Sequence, residues 1–247
     1  MIQEYTYTVN GLQTVAHYDD KTVTDVFIPL LKKWTELYKT YNRRIIVFLS
    51  APPGTGKTTV AQFLEYLSNQ ISDVQSIQAI GLDGFHYHQD YIESHTVMVN
   101  GKEVPMKSVK GSPESFDIQK LERKLECLKN LNVKWPIYDR TIHDVIENQV
   151  EVTESIVLIE GNWLLLKVAG WMDLIEKCDY SVFIAAKEED LKDRLIQRKV
   201  KGGSTQESAE QFYEKSDRKN IIRLMNSHWQ PDTLLNMKKD GSYVWEK

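Results

Sequence analysis

The sequence predicts an α/β domain with a mainly parallel sheet, on three observations. Three short stretches, IIVFLS (residues 45–50), SIVLIE (155–160) and YSVFIAA (180–186), are apolar with little or no alternation, the pattern of strands covered on both faces. Stretches of helical spacing stand between strand-like ones, as in chains that return each strand to one sheet through a helix. A turn rich in glycine and proline follows the first of these strands and leads directly into a helical pattern.

The elements follow in order. Tyr5, Tyr7 and Val9 alternate with polar residues and Asn10-Gly11 supplies a primed turn, so residues 3–17 read as a hairpin. Val23, Val26, Phe27, Leu30, Leu31, Trp34, Leu37 and Tyr38 recur at helical spacing over 22–40. Arg43 and Arg44 lead into the strand 45–50, and a helix over about 57–69 and a strand over 76–82 come next. Residues 84–111 are irregular; within them HTVMVNGKEVPM predicts a second hairpin turning at Asn100-Gly101, an insertion rather than a domain. Asp117 is placed to cap a helix carrying Leu121, Leu125 and Leu128 on one face. Strands over 133–138, 155–160 and 180–186, helices over 188–199 and 206–225, and a short strand over 233–237 complete the pattern. No fixed-period repeat interrupts it.

Composition narrows the function. A chain of 247 residues makes one large domain or two small ones. With 41% hydrophobic and 27% charged residues it is an ordinary globular protein, not a disordered or collagen-like one. Thirty-one basic against 35 acidic residues leave a net charge of −4. That is no field to gather nucleic acid or anionic lipid, so neither is expected as a partner. No window approaches the length of a membrane span, and MIQEYTYTVNG lacks the layout of a secretory signal. Cys127 and Cys178 read as reduced thiols of a cytoplasmic protein, not as a disulfide framework or zinc cluster.

The residues 51–58, Ala-Pro-Pro-Gly-Thr-Gly-Lys-Thr, fit the Walker A phosphate pattern with Ala at its first position. Pro53, Gly54, Thr55, Gly56, Lys57, Thr58 and Thr59 are the expected nucleotide-binding segment. Gly54 and Gly56 let backbone N–H groups wrap a polyphosphate, and the helix starting at Lys57 points its positive end at the same place. Lys57 would reach the β and γ phosphates of ATP, and the Thr58 hydroxyl would ligate Mg²⁺. Asp83 closes the strand 76–82, where ligands of α/β sheets collect. A carboxylate there can orient an acceptor hydroxyl, take its proton or hold Mg²⁺, although Asp83-Gly84 is also a turn dipeptide. Glu160, ending an apolar strand before Gly161, is a second candidate for the Mg²⁺ side.

Arg194 and Arg198 share one helix face and precede Gly202-Gly203. Cations on a hinged lid neutralise a transferring phosphoryl group, while Asp190 and Asp193 leave open a solvated charged face. His86 and His88 stand beside Asp90 with no third ligand at metal spacing, so they read as surface or substrate-pocket histidines. The run WPIYDR, with Tyr138 and Arg140, followed by His143 and Asp144, is dense in hydrogen-bonding groups after a strand. It suits substrate recognition or a structural turn.

In this order, SAPPGTGKTT, LDGFH, KGSPESFD, WPIYDRTIHD and LIEGNWLLL resemble the pantothenate kinase, uridine kinase and phosphoribulokinase group over about residues 44–237. The resemblance is greatest to bacterial pantothenate kinase-like members, some named after a fructose-transport kinase. It implies a P-loop kinase, a three-layer α/β sandwich with a five-stranded parallel sheet and a helical lid at about 188–217. It implies transfer of the γ-phosphoryl of Mg·ATP to a hydroxyl of a small metabolite of pantothenate, sugar or related type. Asp83 matches the group's catalytic Asp and Glu160 its Glu near Mg²⁺. Arg194 and Arg198 match lid arginines, and Tyr138, Arg140 and His143 fall among acceptor-site residues, with His86 beside them. Residues 1–43 have no counterpart and read as an extension that caps the sheet edge or makes an oligomer contact, so a homodimer is one expectation. The stretch HYHQDYIESHTVMVNGKEVPMKSVKG departs from the group's pattern and leaves the acceptor open. The alternative is a nucleoside kinase stacking a base on Phe85, Tyr87, Tyr91 or Tyr138. Outside the kinases stand a nucleotide-dependent switch and a non-catalytic ATP-binding module.

Overall fold

The structure, a computed structural model, describes residues 2–9, 12–99 and 101–246. Strands β1 (Ile2–Val9) and β2 (Leu12–Asp19) pair antiparallel, as the first hairpin requires; its Asn10-Gly11 turn lies outside the described residues. The Asp19 carboxylate accepts the Thr22 N–H at 2.6 Å and caps α1, a helix over residues 20–41 with a π turn at Val23–Phe27. Strand β3 (Ile45–Ser50) leads through the glycine turn to α2 (Lys57–Ser68). Strand β4 (Ile77–Gly81) runs into a 3₁₀ turn, Leu82–Phe85, so Asp83 sits in the turn beyond the strand rather than on its last residue. Helix α3 (Gln89–Ser94) and the hairpin of β5 (Thr96–Val99) and β6 (Lys102–Pro105) form the insertion; Asn100 at its tip is outside the described residues. Helix α4 (Ile118–Leu128) is capped by Asp117, which accepts the Lys120 N–H at 2.9 Å.

The remaining elements are β7 (Val133–Asp139), β8 (Asp144–Val152), β9 (Ile156–Gly161), β10 (Tyr180–Ala185), α5 (Glu188–Lys201), α6 (residues 206–226), β11 (Thr233–Met237) and β12 (Tyr243–Trp245). The main sheet has the order β4-β9-β3-β10-β11-β12. Its first five strands are parallel, and β12, absent from the sequence reading, adds an antiparallel edge.

The unbroken apolar runs have a simple cause. On β3, Ile45, Val47 and Leu49 enter a core shared with α1 and α2, while Ile46 and Phe48 enter a second core shared with α4. Helices on both faces make the three layers. Leu30, Leu31 and Trp34 of α1 are fully buried against the same core as Val60, Phe63 and Leu64 of α2. The segment 133–138 is a strand as expected, but it pairs with β8 in a separate antiparallel ribbon, not with the main sheet. Pro136 offers no N–H, and the register slips between Trp135 and Ile137, which suits a ribbon rather than a central strand. Strand β8 escaped the sequence reading because only Val145 and Val152 along it are fully buried. Among the described residues no helix is long and apolar enough to cross a membrane.

Candidate active site

The carboxyl ends of β3, β4 and β9 meet where the sheet's connections diverge, the position at which such sheets bind ligands. The turn after β3 has Gly54 at φ 88° and Gly56 at φ 81°, both left-handed. At Gly56 a Cβ would also lie 2.9 Å from the Tyr243 hydroxyl, so that position admits only glycine without rearrangement. No side chain caps α2 at Gly56, and its first-turn N–H groups open onto the turn. Thr55 is buried: its hydroxyl donates to the Pro52 carbonyl at 2.9 Å and its own carbonyl accepts the Tyr243 hydroxyl at 2.7 Å. Its side chain thus shapes the turn. Pro53 and Thr59 are half-buried on either side.

Strand register brings the acidic groups together. Glu160 stands opposite Leu49 of β3 and Gly81 of β4, and it accepts the Thr58 hydroxyl at 3.0 Å. Desolvation pushes the Glu160 carboxyl up to about 7; Lys57 pulls it down and Asp83 adds to the rise. Desolvation likewise lowers the Lys57 ammonium, against the pull of Glu160 and Asp83. The turn bearing Asp83 is held tightly against β7: a Cβ on Gly84 would lie 2.2 Å from the Pro136 carbonyl oxygen. A cavity of about 190 Å³ opens among Thr58, Asp83, Tyr138 and Glu160.

The arginines divide. Arg198 acts electrostatically on Lys57; desolvation and the neighbouring Arg140 lower its own guanidinium, while Asp217 and Asp83 pull the other way. Arg140 acts in turn on Lys57 and Glu160. Both are thus among the charges felt at Lys57. Arg194, one turn earlier on α5, lies against the phosphate turn itself: its guanidinium nitrogens are 3.6 Å and 3.8 Å from the Cβ positions of Gly56, next to Lys57, and Gly241. It covers the outer side of the phosphate turn, next to the loop before β12.

Beyond Asp83, His86 Nδ1 lies 2.9 Å from the Asp83 carbonyl oxygen, and its ring centroid is 3.8 Å from that of Phe116 and 5.4 Å from that of Tyr138. A carbonyl only accepts, so Nδ1 carries the proton and Nε2 remains an acceptor. Desolvation lowers the His86 pKa, against the pull of Asp83. His143 is exposed at a left-handed turn (φ 55°), and what it turns inward is its carbonyl, which accepts from the Lys110 ammonium at 3.2 Å. His88 lies 3.3 Å from Asp144 and 3.5 Å from Glu147, tying the start of α3 to β8. Phe85 is fully buried on Trp135, with ring centroids 4.7 Å apart, so it presents no face to a base. Tyr87 and Tyr91 stack on one another at 4.5 Å in a second cavity of about 570 Å³, which also reaches His86.

Two contacts were missed from sequence. Lys110 has a signal, since it opens KGSPESFD, but its side chain's destination depends on how the insertion folds. Tyr243 stands near the end of the chain, far from any motif.

A phosphate turn, two carboxylates and three cations at the ends of a parallel sheet define a P-loop kinase. Residues 46–226 match the model of the phosphoribulokinase/uridine kinase family, and the chain belongs to that family. An Escherichia coli (strain K12) relative, "Uncharacterized protein YggC", is 40% identical over 238 residues, 96% of each chain. A pantothenate kinase of Ligilactobacillus salivarius is 26% identical over 202 residues, 78% of this chain and 63% of its own. Among solved structures, the "putative fructose transport system kinase" of Silicibacter sp. TM1040 superposes with a TM-score of 0.69 at 30% identity, covering 79% of this chain and 90% of that one.

Proposed function

We propose that the chain is an ATP-dependent phosphotransferase acting on a hydroxyl of a small metabolite. The observation that carries this reading is one cavity, lined by Thr58, Asp83 and Glu160 beside the left-handed glycine turn, in which the Thr58 hydroxyl donates to Glu160 at 3.0 Å. The fit to a nucleotide is good: two left-handed glycines, an open helix end and Lys57 suit a polyphosphate, and Thr58 with Glu160 supplies oxygen donors for Mg²⁺. Mg²⁺ held there would neutralise charge on the phosphates being parted.

Asp83 orients the acceptor hydroxyl and takes its proton as the oxygen bonds to the γ-phosphorus. The bond from that phosphorus to the β–γ bridging oxygen breaks, and ADP leaves. Lys57, Arg140 and Arg198 neutralise the phosphoryl oxygens, and the α5–α6 lid, about residues 188–217, excludes water. His86 and Tyr138 flank the acceptor. Residues 1–43 form an extension and 44–247 the kinase domain, in a cytoplasmic protein that can form a homodimer. A nucleoside acceptor is the second reading, supported by the aromatic lining, Tyr87 and Tyr91, of the cavity beside His86.

The test is ADP release from Mg·ATP across pantothenate, nucleosides, pentoses, hexoses and glycerate. Asp83→Asn should keep nucleotide affinity and lose roughly 10²–10⁴-fold in turnover. Lys57→Ala should weaken both. Full turnover in Asp83→Asn, or unchanged ATP affinity in Lys57→Ala, would remove the assigned roles. Nucleotide binding with flat traces for every acceptor would favour a switch or a non-catalytic module.

A further inference from the structure

The β7–β8 ribbon lies beside the edge strand β4 without pairing to it. Side chains join the two at either end: Trp135 Nε1 donates to the Gly81 carbonyl at 2.8 Å, and Gln78 Nε2 donates to the Glu151 carbonyl at 2.9 Å. Between these bonds the cavity that holds Thr58, Asp83 and Glu160 continues along α2. Thr58, Ala61 and Gln62 are spaced to share one face of that helix, so Gln62 stands one turn, about 6 Å, further from the phosphate turn than Thr58.

The walls of this inner part, Ala61, Ala79, Ile137 and Val150, carry apolar side chains, and one polar atom interrupts them. Gln62 Oε1 is buried and, among the described residues, has no hydrogen-bond partner. The Ala79 N–H of β4 bonds the Glu65 carboxylate instead. Trp34 Nε1 and Asn162 Oδ1 are also buried without a partner, but neither residue lines this cavity. An amide oxygen kept from water and left unpaired costs free energy, and a donor on a ligand removes that cost. The cavity, of about 190 Å³, is comparable to one that encloses benzene, roughly 150 Å³. It takes a short chain, whereas the several hydroxyls of a pentose or hexose would lie unpaired against its apolar walls.

Resting on the kinase reading above, we infer that the acceptor is a short aliphatic hydroxy compound whose far end is a neutral hydrogen-bond donor, and that Gln62 Oε1 receives that donor. Asp83 then meets the hydroxyl, the apolar walls meet the carbon chain, and Gln62 selects the acceptor at the end away from the transfer. A carboxylate at that end has no hydrogen to give and would face the Gln62 oxygen with its own lone pairs.

Matched sets of one outline test this: 4-hydroxybutanamide, 5-hydroxypentan-2-one and 4-hydroxybutanoate, and their homologues one methylene longer. Each is titrated by ligand-observed NMR into protein saturated with Mg²⁺ and a non-hydrolysable ATP analogue. In at least one set the amide should bind about tenfold or more tightly than its methyl ketone, which has the same shape without the N–H and leaves Gln62 Oε1 unpaired. The carboxylate should bind no better than the ketone. Gln62→Met should abolish the advantage of the amide, and Gln62→Glu, whose carboxyl oxygens still accept, should retain it, with fluorescent-nucleotide affinity kept in both. Equal binding of amide and ketone in both sets, a carboxylate that binds tightest, no binding of any member at millimolar concentration, or an amide advantage that survives in Gln62→Met would overturn the inference. The wild-type sets can refute it even if Gln62→Met folds poorly. Failure to bind the ATP analogue at all would instead sink the kinase reading.

Discussion

Tyr243→Phe removes one oxygen from the chain's last strand, and its consequence should appear at the nucleotide. The hydroxyl donates at 2.7 Å to the Thr55 carbonyl inside the phosphate turn, and both residues are buried. The ring is held from behind by α1: the Tyr243 N–H donates to Thr22 Oγ1 at 3.2 Å, and Trp245 Nε1 donates to the Asp25 carbonyl at 2.6 Å. Phenylalanine keeps the ring packing and leaves the Thr55 carbonyl buried without its donor, a loss of about 1–3 kcal/mol. If the bond holds the turn in its phosphate-binding shape, part of that loss is paid on binding and ATP affinity falls roughly 5–30-fold, while acceptor affinity stays as it was. Fluorescent-nucleotide titration well below the melting transition, beside a thermal melt, separates shape from stability. A lower melting temperature with nucleotide affinity within twofold of wild type would refute the reasoning, for it would make Tyr243 a packing residue only.

Three further outcomes follow from particular contacts. Gly84→Ala drives a methyl to 2.2 Å from the Pro136 carbonyl oxygen, so the turn bearing Asp83 must shift; turnover should fall at least about tenfold with ATP affinity kept, and stability should drop by about 1–3 kcal/mol in urea titrations. Native protein should react with a disulfide reagent at one thiol. Cys127 is exposed, whereas burial pushes the Cys178 thiol up to about 12, so near pH 8 it carries almost no thiolate until the chain unfolds; two fast equivalents would contradict this. Trp34→Ala should cost about 3–5 kcal/mol in urea unfolding, because a fully buried side chain of α1 shares the core of β3 and α2. An unchanged midpoint would mean that residues 1–43 hang on the domain without supporting it.

Much of the frame is legible in the sequence because one physical rule covers it. A strand buried on both faces must be apolar along most of its length, and IIVFLS, SIVLIE and YSVFIAA have polar residues only at or near their ends; they sit side by side in the sheet. Asp117 caps α4 as its residue type and position imply. The edges are harder to read. Strand β8 follows β7 after a turn and has few buried residues, and β12 has three residues with only Tyr243 fully buried. Arg194 and Arg198 do stand on one helix, α5, but their neighbours differ: the Arg194 guanidinium lies against Gly56 and Gly241, whereas Arg140, Asp217 and Asp83 are the charges felt at Arg198. Helical spacing places side chains on a face but does not say what lies along it. His143 shows the reverse case: the residue is at the site, but by its carbonyl, which no side-chain identity foretells.

The division between what could be read and what could not follows the division of labour in the molecule. Thr58, Asp83 and Glu160, to which we assign the transfer, stand on or beside strands of the main sheet, whose parallel pairing sets their spacing. The groups to which we assign the acceptor come from other supports. Tyr138 lies on the separate β7–β8 ribbon, and Lys110 follows the insertion and bonds Gln89 at the start of α3. His86, hydrogen-bonded to the Asp83 carbonyl, stands between the two. The ribbon and the insertion can therefore change the acceptor's shape and charge while the sheet keeps the phosphates where they are. On this reasoning the transfer chemistry says little about which hydroxyl receives the phosphoryl group. The acceptor should be sought through Tyr138 and His86, on the ribbon and beside the insertion, rather than through the phosphate turn.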